Sequence, residues 1–168
     1  MSDVHPACKS VEKLLADCDV RHERRSGPGG QHRNKVSTAV VLIHRPTGLR
    51  AEANERRSQA ENLREAVHRL RLRLAIEVGS SAASKSPSEL WRSRTKSGKL
   101  AVNGAHEDFP ALLAEALNRI SAAEFDVAVA ATQLAVTTSQ LVKFLQLEPA
   151  AFASVNTARR HRGLHPLH

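Results

Sequence analysis

The run Thr38-Ala39-Val40-Val41-Leu42-Ile43-His44 constrains the fold more than any other part of this sequence. It is β-branched and apolar, the clearest strand in the chain. A strand needs partners, because its backbone donors and acceptors point sideways and must be satisfied. Candidates flank it on both sides. Arg45-Pro46-Thr47-Gly48 reads as a turn from its Pro and Gly, and residues 49–53 return as a paired strand. Residues 18–25 are a second candidate partner, although their composition is poor for a strand. Helices frame this small sheet. In residues 9–16, Val11, Leu14 and Leu15 fall on one helical face. Ser58, with Glu61 three residues on, is the capping-box pattern. The helix it opens carries Leu63, Val67, Leu70 and Leu74 on one apolar stripe, with Ala60 and Ala66 alongside. Arg64, Arg69, Arg71 and Arg73 flank that stripe and read first as solvated surface. The prediction for residues 1–78 is therefore α+β, a small sheet with a packed helix.

The remainder divides in two. Residues 79–106 predict a basic flexible linker. The run from Gly79 to Ser88 is small and polar, and cannot bury enough apolar surface to offset its ordering entropy. It continues into Trp91-Arg92-Ser93-Arg94-Thr95-Lys96-Ser97-Gly98-Lys99, which is either solvated linker or an RNA-contacting arm with Trp91 as its stacking or anchoring group. Residues 107–168 predict an all-α module. Pro110 sits in a first turn, followed by Leu112, Leu113, Leu117 and Ile120. Residues 124–135 are rich in Ala and Val, Thr137 or Thr138 caps a helix running through Leu147, and Pro149 opens a last helix ending near Gly163. Within it, 130–148 has the outline of a helix-turn-helix, a short helix ending near Val136 and a polar-capped second one. Simple helix–helix packing is the alternative reading.

Charge narrows the partner class. The chain carries a net +8, made of +5 over residues 1–78, +4 over 79–106 and −1 over 107–168. A balance this basic points to nucleic acid. Aromatic residues are only 3%, with no Tyr, which argues against readers that stack single-stranded bases on aromatic platforms. Recognition through phosphate and backbone remains, and Arg159-Arg160-His161-Arg162 adds a small basic tip. No apolar run approaches the roughly 20 residues that span a bilayer, so no membrane partner is expected. Cys8 and Cys18 have neither disulfide-framework nor metal-ligand spacing, which fits a reduced cytoplasm. His161, His165 and His168 are separated by Gly and Pro, so no metal is expected, and no cofactor. A monomer is the expected state.

The segment that carries chemistry is Arg25-Ser26-Gly27-Pro28-Gly29-Gly30-Gln31-His32-Arg33-Asn34-Lys35. Its glycines bare the backbone and permit positive φ, so another molecule can approach closely. Gln31 offers a neutral amide, both donor and acceptor. It cannot serve as a general base, yet it can position a water and donate to a developing oxyanion. Arg24, Arg25, Arg33 and Lys35 set cations on both sides, as suits insertion into a densely anionic site. A glycine turn beside a basic patch is the plainer reading. A phosphate-cradling P-loop fits poorly, because no Gly-Lys-Ser/Thr follows.

Several motifs stand in register: Arg25 to Gln31, then Asn34-Lys35, Ser37, Val40 and Leu42, then His44-Arg45-Pro46-Thr47-Gly48-Leu49, then Arg57-Ser58-Gln59, Asn62 and Ala66. Over about residues 18–78 this pattern resembles the catalytic domain of class-I peptide chain release factors. The resemblance implies that the glycine-rich loop enters the ribosomal peptidyl-transferase centre and promotes hydrolysis of the peptidyl-tRNA ester. It assigns Gly29, Gly30 and Gln31 the catalytic part. The glycines would permit the loop's backbone conformation, the Gln31 N–H would stabilise charge at the tRNA 3′ oxygen, and its side chain would position water. Gln31 would also be a target for methylation. Arg33 stands where the family has a small apolar residue. The implied RNA-binding set is Arg24, Arg25, Ser26, Gly27, Pro28, His32, Arg33, Asn34, Lys35, Arg57 and Ser58, extended by Lys85, Arg92, Arg94, Lys96 and Lys99 of the basic stretch. The implied partners are large-subunit rRNA and peptidyl-tRNA. No counterpart of a codon-reading domain or its tripeptide is found, so the expected activity is codon-independent release from stalled ribosomes. Two alternatives stay open: a non-catalytic ribosome- or RNA-binding regulator, and a helix-turn-helix nucleic-acid-binding protein acting through 130–148.

Overall fold

The computed structural model describes residues 4–23, 38–79 and 86–168. They form two compact units, one covering Val4–Leu74 and the other containing Ala75–His168.

The first unit is built on a three-stranded antiparallel sheet in the order β1 (Cys18–Glu23), β2 (Ala39–His44), β3 (Arg50–Ala53). The central strand is the β-branched run, and five of its six residues are buried. β1 forms despite its polar, mostly exposed residues, because β2 supplies its pairing from Cys18↔His44 to Glu23↔Ala39. Neighbouring strand context outweighs a weak intrinsic propensity. The β2–β3 turn is the expected one, with Gly48 at φ 72° and its N–H bonded to the His44 carbonyl at 2.8 Å. Arg45 stitches this end together, donating to the Cys18 carbonyl at 2.9 Å, to Asp19 at 3.1 Å and to the Ala16 carbonyl. That carbonyl ends α1 (Val11–Ala16), which Ser10 caps.

Helix α2 (Gln59–Glu77) follows Ser58, whose hydroxyl accepts from Glu61 N–H at 3.4 Å. The buried stripe is Asn62, Ala66, Val67, Leu70 and Leu74. Three of the arginines expected as solvated flanks are backbone clamps instead. Arg69 donates to the Glu52 carbonyl at 2.8 Å and Arg73 to the Arg50 carbonyl at 2.6 Å. The His44 N–H donates to the Leu49 carbonyl, so carbonyls 50 and 52 face outward from the edge strand. The helix thereby covers an edge that would otherwise offer unpaired acceptors. Arg71 donates to the Ala7 carbonyl at 2.9 Å.

The second unit is mainly helical: α3 (Glu89–Arg94), the hairpin β4 (Thr95–Lys96) and β5 (Lys99–Leu100), α4 (Phe109–Ala122), α5 (Val127–Gln133), α6 (Thr138–Gln146) and α7 (Pro149–His161). It corrects the linker reading for residues 86–106, which fold. Trp91 is fully buried, its indole N–H donates to the Leu134 carbonyl at 2.8 Å, and its ring meets Phe144 edge-on at 5.7 Å. Phe109 packs on the same Phe144 at 5.1 Å. One large aromatic anchor gives this polar stretch the apolar burial that its composition denies it. Residues 80–85 of the expected linker, with Lys85, lie outside the described residues. Three of the longer helices open as expected, with Pro110 and Pro149 in the first turns of α4 and α7 and Thr137 capping α6, while Asp126 caps α5. The helix expected to end near Val136 ends at Gln133, because Ala135 at φ 55° turns the chain. Among the described residues, no helix is long and apolar enough to cross a membrane, and no group of three or more metal-ligating side chains stands together.

Candidate functional site

Gly29, Gly30 and Gln31 lie outside the described residues, as do Arg24, Arg25, Ser26, Gly27, Pro28, His32, Arg33, Asn34 and Lys35. The residues that root this segment are described. It leaves the sheet after Glu23 and re-enters at Ala39, and these two residues are directly paired. The segment is thus held at both ends by one antiparallel ladder.

The re-entry point is tied to a second loop by Asn62, which is fully buried. Its amide nitrogen donates to the Thr38 carbonyl at 2.7 Å and to the Arg56 carbonyl at 2.9 Å. Its amide oxygen accepts from the Arg56 N–H at 3.0 Å. Both donors and the acceptor are used, so the side chain fixes the chain before β2 against the chain before α2. This brings Arg57, which is exposed, and Ser58 to the end of the sheet from which the glycine-rich segment springs. Ser58 spends its hydroxyl on the helix cap. Asn62 belongs to the register of motifs, but it carries no role there. Its signal is legible in hindsight: an amide on the apolar stripe of a helix, one turn before Ala66.

Arg69 orders the same loop from the other side, donating to Glu55 at 2.8 Å and to Glu65 at 3.1 Å. The Arg69 hydrogen bond holds the Glu55 carboxyl below its ordinary pKa. At the opposite end of the ladder, His44 is buried with Nδ1 at 2.8 Å from the Thr47 hydroxyl and Nε2 unpartnered. Burial lowers its pKa, so the ring is a neutral packing group. Burial raises the pKa of Cys18, which faces His44 in the register and is an inert thiol.

The second unit holds the rest of the candidate set. Arg92, Lys96 and Lys99 are exposed on α3 and the hairpin. Arg94 is not available to RNA in the same way. Its guanidinium donates to Asp108 at 2.5 and 3.1 Å and stands 3.2 Å from His106. Trp91 is an internal anchor and not a stacking surface.

The family described as RF-1 domain matches residues 10–107, more than half the chain. Among curated proteins, the chain is 40% identical over 84 residues to peptide chain release factor 1 of Enterococcus faecalis, covering 49% of this chain and 24% of that protein. It is 44% identical over 61 residues to peptide chain release factor 1 of Leuconostoc citreum, covering 35% of this chain and 17% of that one. It is 39% identical over 83 residues to the same factor of Acidiphilium cryptum, covering 48% and 24%. The chain spans about a quarter or less of the length of these relatives. No solved structure matches.

Proposed function

Since the chain belongs to the RF-1 domain family, we propose that it promotes hydrolysis of the peptidyl-tRNA ester on the ribosome. The observation that carries this reading is the family match across residues 10–107, with Gly29-Gly30-Gln31 and its cationic flanks inside it. The rigid root supports it. A catalytic segment without a titrating side chain works by placement, and an ångström of misplacement costs about a hundredfold in rate. Paired strands at both ends, a buried amide bonded to Thr38 and Arg56, and an arginine clamp on the next loop are what such placement requires.

In this proposal Gly29 and Gly30 leave the backbone free to approach the ester. The Gln31 N–H donates to the departing 3′ oxygen as negative charge develops, and its side chain orients the attacking water. The cations from Arg24 to Lys35, with Arg57, engage rRNA phosphate. The finer proposal is codon independence. The residues past the family match fold as helices α4 to α7. The protein would then act as a cytoplasmic monomer on stalled complexes, with large-subunit rRNA and peptidyl-tRNA as partners and no cofactor.

The test measures peptide release from ribosomes carrying truncated mRNA. Gly30→Ala and Gln31→Ala are each expected to slow release by about a hundredfold or more while ribosome binding persists. Release undiminished in Gly30→Ala would refute the catalytic reading. Binding without release by the unaltered protein would favour a non-catalytic regulator.

A further inference from the structure

The hairpin β4–β5 and helix α6 stand together, and neither bears a carboxylate. Strand β5 lies against α6. The hairpin turns at Ser97 (φ 48°) and Gly98 (φ 73°), and a Cβ built on Gly98 would sit 3.9 Å from the methyl carbon of Thr137, the residue that caps α6. Its tip therefore rests at the N-terminal end of that helix. Lys96 and Lys99 are exposed on the hairpin, and Ser139, Lys143 and Gln146 form an exposed stripe along α6 at spacings of four and three.

Two features make this a built surface. The hairpin is rigidly placed, because α3 runs directly into it and Trp91 of α3 is bonded to the Leu134 carbonyl in the turn before α6. The charge is also one-sided. Residues 90–106 and 127–147 contain no Asp or Glu. Four carboxylates of this unit are tied up in other contacts: Asp108 holds Arg94, Glu115 holds Ser88, Asp126 caps α5 and Glu148 caps α7.

We propose that the β4–β5 hairpin and α6 form one docking surface for an RNA duplex, with Lys96, Lys99 and Lys143 on its phosphates. The choice of RNA over DNA rests on the proposed ribosomal function and on the chemistry of the stripe. A-form RNA presents phosphates and 2′-hydroxyls over a shallow groove, and small hydroxyl and amide side chains suit those groups. The stripe has no arginine to fork onto guanine, the commonest direct contact in the DNA major groove. On this surface α6 thus serves to grip a backbone and not to read a sequence.

The experiment uses the full chain and a synthetic RNA duplex of about 16 base pairs, the length that a duplex-RNA module spans. A DNA duplex of the same sequence runs beside it. The triple variant Lys96→Gln, Lys99→Gln, Lys143→Gln is expected to lose at least about tenfold in affinity for the RNA, with the slope of log affinity against log salt shallower by about three. Its thermal midpoint should match the parent, and Arg64→Gln, at an exposed cation of α2 outside the proposed surface, should bind as the parent does. The inference is overturned if the triple variant binds RNA like the parent, if Arg64→Gln weakens binding as much, or if the DNA duplex binds more tightly. Because no ribosome is present, a protein that grips RNA yet releases no peptide refutes the catalytic proposal alone.

Discussion

Asn62 shows how a single buried side chain can govern a segment it does not belong to. It satisfies the Thr38 carbonyl and both backbone groups of Arg56, using both its N–H donors and its oxygen to do so. Asn62→Leu would fit the apolar stripe by hydrophobicity, but it would strand those three backbone groups. We expect a loss of about 3 kcal/mol in urea unfolding, since each unpaired buried group costs about 1–3 kcal/mol. An unchanged midpoint would mean that water replaces the amide. Such a role is hard to read in advance, because an asparagine on a helix has many ordinary uses and its partners lie 24 and six residues away. The same holds for Trp91. Its sequence neighbours are cations, which suggest a surface arm, whereas its partners Leu134 and Phe144 are distant in sequence.

Elements were the more legible scale. The β-branched run, the Pro-Gly turn, the Ser58 and Thr137 caps and the helix opened by Pro149 all stand where local chemistry puts them. The exceptions have physical causes. β1 owes its form to pairing, and the end of α5 depends on backbone geometry. There Val136 N–H reaches the Ala131 carbonyl at 3.0 Å and Ala135 N–H reaches Thr132 at 3.1 Å, a Schellman ending with an exposed alanine at φ 55° where glycine is usual. A side chain in that region costs about 1–2 kcal/mol, partly offset by the greater freedom of glycine in the unfolded chain. Ala135→Gly should therefore stabilise the protein by about 0.5–1 kcal/mol, seen as a raised thermal midpoint. A lower midpoint would show that the turn does not hold this conformation in solution. The three clamping arginines of α2 looked like solvent-facing charge because helical spacing says where a side chain starts, and not which carbonyl it reaches.

At the scale of the molecule, residues 86–106 join the helical unit that the sequence reading began at 107. Without them that unit loses α3, the hairpin and Trp91, the largest side chain of its core. A fragment of residues 86–168 should unfold cooperatively on heating, and one of residues 107–168 should melt without a sharp transition. Two fragments that melt alike would return the boundary to residue 107. The family match itself ends at residue 107, so it includes the hairpin but not the helices on which the hairpin rests. The sequence by itself determined the small α+β domain, the helical end, the basic bias and the register of motifs around Gly29-Gly30-Gln31. These follow from periodicity, caps, turn residues and formal charge, all of them local properties. Only the tertiary structure decided which cations the fold uses: Arg92, Lys96 and Lys99 stand exposed on α3 and the hairpin, while Arg94, Arg69 and Arg73, the last exposed as well, hold the fold. That division depends on which acceptor stands within about 3 Å of each guanidinium, a distance set by packing between residues far apart in the chain.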